Sequence, residues 1–244
     1  MDFRQYRSPD RFVGMTDAPR RAAPRRPVGR PRADARRRAR APREEILFHA
    51  ARLFARQGIT ATTTREIAAA AGLRQPSLFH WFPHKDAIVE ALLEVAIAPA
   101  VEFAEEAAAR AEPPGVRLFR ILAFDARELC ASPYDLAAVW LAPEARTRPF
   151  ARFWRLRARL IEILEALVAE GVRDGSFAPV EPALTTRLVF GMDEAVLTWF
   201  DREGRVTPAQ VGEAVAELAL RALLRDPREL GAVRRAAASG PTQG

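Results

Sequence analysis

The chain has 244 residues, 38 basic against 31 acidic, a formal charge of +7 and 49% hydrophobic residues, which is enough for a substantial core. Cys130 is the single cysteine and His49, His80 and His84 are the three histidines, so an intramolecular disulfide framework and a cysteine-based zinc cage are excluded, and no metal or cofactor is expected. There is no uncharged apolar run of membrane-spanning length and no apolar segment of a secretory signal, which predicts a soluble, cytoplasmic protein with no membrane partner.

The charge is unevenly placed. Residues 1–43 hold fourteen arginines and four acids, a local balance of +10, which leaves −3 for residues 44–244. Six prolines and no apolar periodicity in residues 1–42 predict a basic arm that is disordered when free, because it cannot bury enough surface to offset its ordering entropy. Met15 opens MTDAPRR, which reads like a translation start. Lys85 is the only lysine, a bias that points to a GC-rich genome and makes position more informative than composition.

From Arg43 onward the pattern is helical, interrupted at Gly58, Gly72, Pro83, Pro113 to Gly115, Pro133, Pro143, Gly171 to Gly175, Pro179 to Pro182 and Gly204. Strand-like alternation is absent. The predicted fold is all-α: a compact head over 43–86, a helical body over 87–226 and a frayed tail over 227–244.

A first amphipathic helix is predicted from Glu44 to Gln57, with Gly58 as its stop. Thr63-Thr64-Arg65-Glu66 is a capping box and opens a second helix that ends at Gly72, where a sharp turn calls for positive φ. Another helix starts at once. Pro76 suits its first turn, and Leu78 and Phe82 recur four apart to face Ile67 and Leu73. Two short helices joined through a glycine turn, with the small Ala68 between them, make a helix-turn-helix whose second helix fits a DNA major groove.

Over Arg43–Leu92, the stretch ILFHAARLFARQGITATTTREIAAAAGLRQPSLFHWFPHKDAIVEALL resembles the DNA-binding head of the TetR family of bacterial transcriptional regulators. The resemblance implies that Thr64 and Arg65 approach phosphate, that Arg74, Gln75 and Ser77 lie near base edges, that Phe79 and His80 approach backbone and thymine methyls, and that Lys85 meets phosphate. Side-chain chemistry agrees: arginine forks onto guanine and glutamine onto adenine, each bidentate pair discriminating by roughly 1–3 kcal/mol. Phe79 stands where the family commonly has tyrosine and Trp81 where histidine is frequent; Trp81 keeps an N–H that can donate to DNA, and the alternative is that Phe79 and Trp81 simply pack against the first and fourth helices. In the arm, VGRPR places Arg30 and Arg32 in a pattern like an AT-hook core; minor-groove insertion and nonspecific phosphate binding both put the arm on double-stranded DNA.

The helix following the head is predicted from about His84 to Ala98. The middle helices, Gly115–Cys130, Pro133–Leu141 and Phe150–Val172, are where the resemblance implies a pocket for a small-molecule effector, and Phe119, Phe124, Arg127, Trp140, Phe153, Trp154 and Arg157 are its candidate lining. Plain core packing is the competing reading of the aromatics, and Cys130 is read as a buried, inert thiol. Two amphipathic runs follow, Thr185–Phe200 and Pro208–Leu224. By resemblance they pair with their copies in a homodimer through Leu188, Met192, Val196, Trp199, Val211, Val215, Leu218 and Ala222; an ordinary intrachain hairpin would use the same stripes.

The functional expectation is a sequence-specific DNA-binding regulator, a homodimeric repressor released from a palindromic operator by an effector. The alternative is an effector-independent architectural DNA-binding protein. No phosphate-binding glycine loop, nucleophile elbow or HExxH motif speaks for an enzyme.

Overall fold

The computed structural model describes residues 41–143 and 150–239. The elements in order are α1 (Pro42–Ala61), α2 (Thr64–Ala70), α3 (Gln75–Trp81), α4 (Lys85–Ala108), α5 (Pro114–Ala131), α6 (Ala137–Trp140), α7 (Ala151–Asp174), α8 (Pro182–Glu194), α9 (Val196–Trp199), α10 (Pro208–Leu223), a 3-10 turn (Pro227–Glu229) and α11 (Leu230–Ala238). Among the described residues there is no strand, and an isolated antiparallel bridge joins Phe177 to Leu224. None of these helices is long and apolar enough to cross a membrane. The basic arm, with Arg30 and Arg32, lies outside the described residues apart from its last two, where Ala41 caps α1 and Pro42 occupies its first turn.

The head assembles around one small core. Ile46, Leu47, Ala50 and Phe54 of α1 close over Ile67 and Ala68 of α2 and Leu78 of α3, all buried. Each large aliphatic in such a place contributes about 1.5–3 kcal/mol. The capping box forms as its sequence requires: Thr63 Oγ1 accepts from the Glu66 amide at 3.2 Å, and Glu66 Oε2 accepts from the Thr63 amide at 2.8 Å. The Thr63 hydroxyl, which donates to Glu66 Oε2 at 2.7 Å, and then the Thr63 amide hold the Glu66 carboxyl below its ordinary range. Gly72 has φ of +72°, the left-handed conformation that sends the chain from α2 to α3 and that a side chain would strain.

α4 runs ten residues past the expected end at Ala98. Pro99 removes one backbone donor but stands on the exposed side, and Ala100, Val101 and Ala104 continue the buried stripe beyond it. α5 is the axis of the body and touches α4, α7, α8, α9, α10 and α11. It is correspondingly apolar on several sides, with Leu118, Phe119, Ile121, Leu122 and Ala126 all buried. α10 lies so close to it that a Cβ on Gly212 would sit 2.2 Å from the Ala123 carbonyl oxygen.

Other boundaries also differ from the sequence reading, the helix expected over Pro133–Leu141 being the single turn Ala137–Trp140. The run expected as one helix over Thr185–Phe200 divides at Ala195 into α8 and α9. The tail expected to fray over 227–244 is ordered through residue 239: Leu230 and Val233 are buried, and the Arg120 guanidinium donates to the carbonyls of Ala236 at 2.9 Å and Ser239 at 2.8 Å. An arginine at the last carbonyls of a helix satisfies acceptors that have no partner within the helix.

Candidate nucleic-acid interface and body cavities

α3 turns Leu78 inward and leaves its other side to solvent. Arg74, Ser77, Phe79 and His80 are exposed, and Gln75 is half-buried because its Nε2 donates to Thr64 Oγ1 at 3.0 Å. That bond joins the predicted base reader Gln75 to the predicted phosphate contact Thr64, so the two helices present one continuous polar edge, with Arg65 exposed beside it. Phe79 and Trp81 are 42% and 43% exposed, which removes the reading in which they are simply core. Trp81 meets the His80 ring edge-on at 5.8 Å.

Lys85 is placed differently from the expectation. Its ammonium donates to the carbonyls of Ile59 at 2.6 Å, Thr60 at 3.1 Å and Thr62 at 2.7 Å. Three acceptors account for its three protons, so in this conformation Lys85 is a strut that ties α4 to the end of α1, and no proton is left for a phosphate. His84 precedes it as the cap of α4, its Nδ1 accepting from the Ala87 amide at 3.1 Å.

The body holds a cavity of about 490 Å³ between the end of α6, the start of α7 and the end of α8. Trp140, Phe153, Trp154 and Arg157, four of the expected effector-pocket residues, line it together with Glu194 and Thr198. The rings form a corner: Trp140 meets Phe153 edge-on at 5.2 Å, and Phe153 meets Trp154 at 5.0 Å. Arg157 is forked onto Glu194 at 2.9 and 3.0 Å and lies over the Phe190 ring, so the charges of this wall neutralise each other.

The other three candidates lie elsewhere. Phe119 is core at 5% exposure, Phe124 stacks on Phe103 at 4.1 Å, and Arg127 lies over Phe124 and pairs with Glu128 at the surface. They follow the helical period of α5, which turns them away from the cavity.

Asp125 of α5 and Asp193 of α8 are both buried within side-chain hydrogen-bond reach of each other, and no other donor reaches either Asp193 oxygen among the described residues. Burial pushes the Asp125 carboxyl up to about 6 and Asp193 well above the ordinary range, the second also through the neighbouring Asp125 charge. Two carboxylates this close in a low-dielectric interior hold a proton. Burial likewise pushes the Cys130 thiol up to about 11, which leaves it neutral and unreactive.

The dimer candidates separate into two sets. Val196, Val211 and Val215 are buried inside the chain and are corrected to intrachain core. Met192 is half-buried against the same core. Leu188, Trp199 and Leu218 are 67%, 57% and 57% exposed, and Ala222 is exposed beside them. Leu184, at 58%, belongs to the same stripe one turn before Leu188 and was missed. Helical spacing put both sets on amphipathic stripes, but the apolar arc is wide enough to cover both an inner and an outer face.

Two family descriptions match the chain: "Bacterial regulatory proteins, tetR family" over residues 46–92 and "Tetracyclin repressor-like, C-terminal domain" over residues 130–223. The solved structure of AmtR from Mycobacterium smegmatis is 34% identical, covers 85% of this chain and 100% of its own, and superposes with a TM-score of 0.70. PfmR from Thermus thermophilus, a TetR family transcriptional regulator, is 31% identical over 74% of this chain and 99% of its own, with a TM-score of 0.65. The chain belongs to the TetR family of transcriptional regulators. KstR2 of Rhodococcus jostii, named an HTH-type transcriptional repressor, is 28% identical over 73% of this chain and 89% of its own length.

As a TetR-family member the chain is a DNA-binding transcriptional regulator, and the architectural alternative falls. Within that frame, sequence reasoning missed Glu194 as the partner of Arg157 and the buried Asp125–Asp193 pair. Carboxylates on amphipathic helices look alike in sequence whether they face water or a neighbouring helix.

Proposed function

We propose that this regulator is a homodimeric repressor working in the cytoplasm: it occludes a promoter by binding a palindromic operator in double-stranded DNA, and it lets go when a small-molecule effector occupies the cavity beside Trp140, Phe153 and Trp154. The observation that carries the reading is the unpartnered apolar stripe of Leu184, Leu188, Trp199 and Leu218, on helices far along the chain from a seven-residue recognition helix. So short a helix reads a few base pairs, and useful affinity requires a second copy on a second half-site. The repressor name carried by the Rhodococcus relative supports repression. Base reading is assigned to Arg74, Gln75 and Ser77, backbone and methyl contacts to Thr64, Arg65, Phe79 and His80, and additional phosphate contacts to the arm with Arg30 and Arg32.

An effector acts through its different affinities for two spacings of the paired heads. α4 runs from the head into the body as one helix and carries the change. No catalytic role is assigned to any residue. Sedimentation equilibrium at micromolar concentration tests the reading: the mass of two chains is expected, and a monomer would overturn it.

A further inference from the structure

A second cavity, of about 450 Å³, lies on the seam between head and body. The head supplies Phe48 and Arg52 of α1, and the body supplies the end of α5, the 133–137 segment that leads into α6, and α9 with the turn after it. α1 packs on α6 at this seam. A molecule lodged here touches both units, so its binding free energy depends on how the head is set against the body.

The chemistry of the lining is directional. Leu129, Leu136 and Val196 are buried and Phe200 half-buried, giving an apolar floor, and the Cys130 thiol beside them is neutral because burial raises it. The mouth is charged. Arg202 is already engaged, its Nη2 donating to the Tyr134 carbonyl at 2.6 Å, and the Asp201 carboxylate accepts from the Glu203 amide at 2.9 Å. Asp135, Glu203 and Arg52 are all exposed, so solvent screens each of them. Arg52 differs in its partners: its guanidinium lies over the Phe48 ring at 5.7 Å and has no carboxylate partner among the described residues. A cation stacked on an aromatic face at the edge of an apolar floor complements a molecule with an apolar body and one anionic end.

We propose that this seam cavity is a second regulatory site, for a small amphipathic carboxylate whose apolar chain lies against Leu129, Leu136 and Phe200 and whose carboxylate pairs with Arg52. The site is separate from the Trp140–Trp154 cavity and does not depend on the effector assigned there. Ligand held at Arg52 favours the head position that keeps α1 against α6, and so biases DNA binding.

Isothermal titration of the full chain with sodium decanoate, and with 1-decanol as its uncharged counterpart, tests the site. Decanoate is expected to bind about threefold more tightly than decanol, the margin of one exposed ion pair. Arg52→Leu, an exposed substitution that leaves the fold intact, should erase that margin, and Ala137→Phe should fill the cavity and remove binding of both probes. Trp154→Ala, in the other cavity, should change neither affinity. Absence of decanoate binding, equal binding of the two probes, or loss on Trp154→Ala without loss on Arg52→Leu would overturn the proposal. The last outcome would place the probe in the effector cavity and leave that assignment standing.

Discussion

In the head, Arg74, Ser77, Phe79 and His80 stand exposed on a helix anchored by buried Leu78, whereas in the body Asp125, Asp193, Arg157 and Glu194 are drawn inward and answer one another. The head keeps its polar groups ready for a partner. In the body the Arg157–Glu194 ion pair satisfies itself, and removing one member would leave the other stranded, whereas Asp125 and Asp193 repel once both are charged. On the proposed function, DNA would add contacts to a rigid frame in the first region, whereas an effector would exchange contacts within the second.

The largest expected effect comes from breaking the outer face of the body. Leu188→Glu with Leu218→Glu should convert a dimer into a monomer and weaken operator binding by about a hundredfold or more, because the second head is no longer tethered to the first. Sedimentation and fluorescence anisotropy check both. A variant that stays dimeric would move the interface off the α8–α10 face.

Next in size, Arg74→Ala should cost about 1–3 kcal/mol at one base pair per half-site and relax the preference there. An unchanged motif in a binding-site selection would transfer base reading to other residues. Lys85→Met sharpens the same region: loss of the strut to Ile59, Thr60 and Thr62 should lower stability by about 1–3 kcal/mol in thermal melts. A phosphate role would instead leave the melt unchanged and reduce the salt slope of DNA binding by about 1. Thr63→Ala removes the capping box and should cost about 1 kcal/mol.

The smallest effect concerns pH. In the folded chain Asp125 rises from the ordinary 3.8 to about 6, and Asp193 rises with it. A carboxyl with a raised folded-state pKa binds its proton more tightly when folded, so the stability it contributes is complete below the unfolded value and is lost as pH rises through the folded one. Asp193→Asn keeps the shape and cannot ionise. Relative to the parent chain, its melting temperature should be a few degrees higher above pH 7 and the difference should close toward pH 4. Parallel melting curves across that window would show that the pair does not titrate there.

What the sequence discloses follows the same division. Turn chemistry in the head is local: Thr63 with Glu66, Gly72 and Pro76 mark two helices and the step between them, and each appears where its conformation demands. The body is decided by which neighbour a face meets, and spacing alone does not hold that information. Val196 and Trp199 lie three residues apart in one apolar run, yet one is fully buried and the other 57% exposed. Phe119 and Phe153 are both buried aromatics, and only the packing of α5 against α10 and α11 separates core from cavity wall. Lys85 reads as a phosphate contact from its place beside the recognition helix; its carbonyl partners lie more than twenty residues back along the chain.

In the proposed function an exposed α3 reads a specific sequence as one of a symmetric pair. Selection of bound genomic fragments by the purified full-length protein, at near-physiological salt where nonspecific phosphate binding is weak, tests it most directly. One palindromic motif at one or a few promoters is expected, its half-sites set a helical turn or more apart. Diffuse A·T-rich enrichment without a palindrome would contradict it and would place DNA recognition in the basic arm.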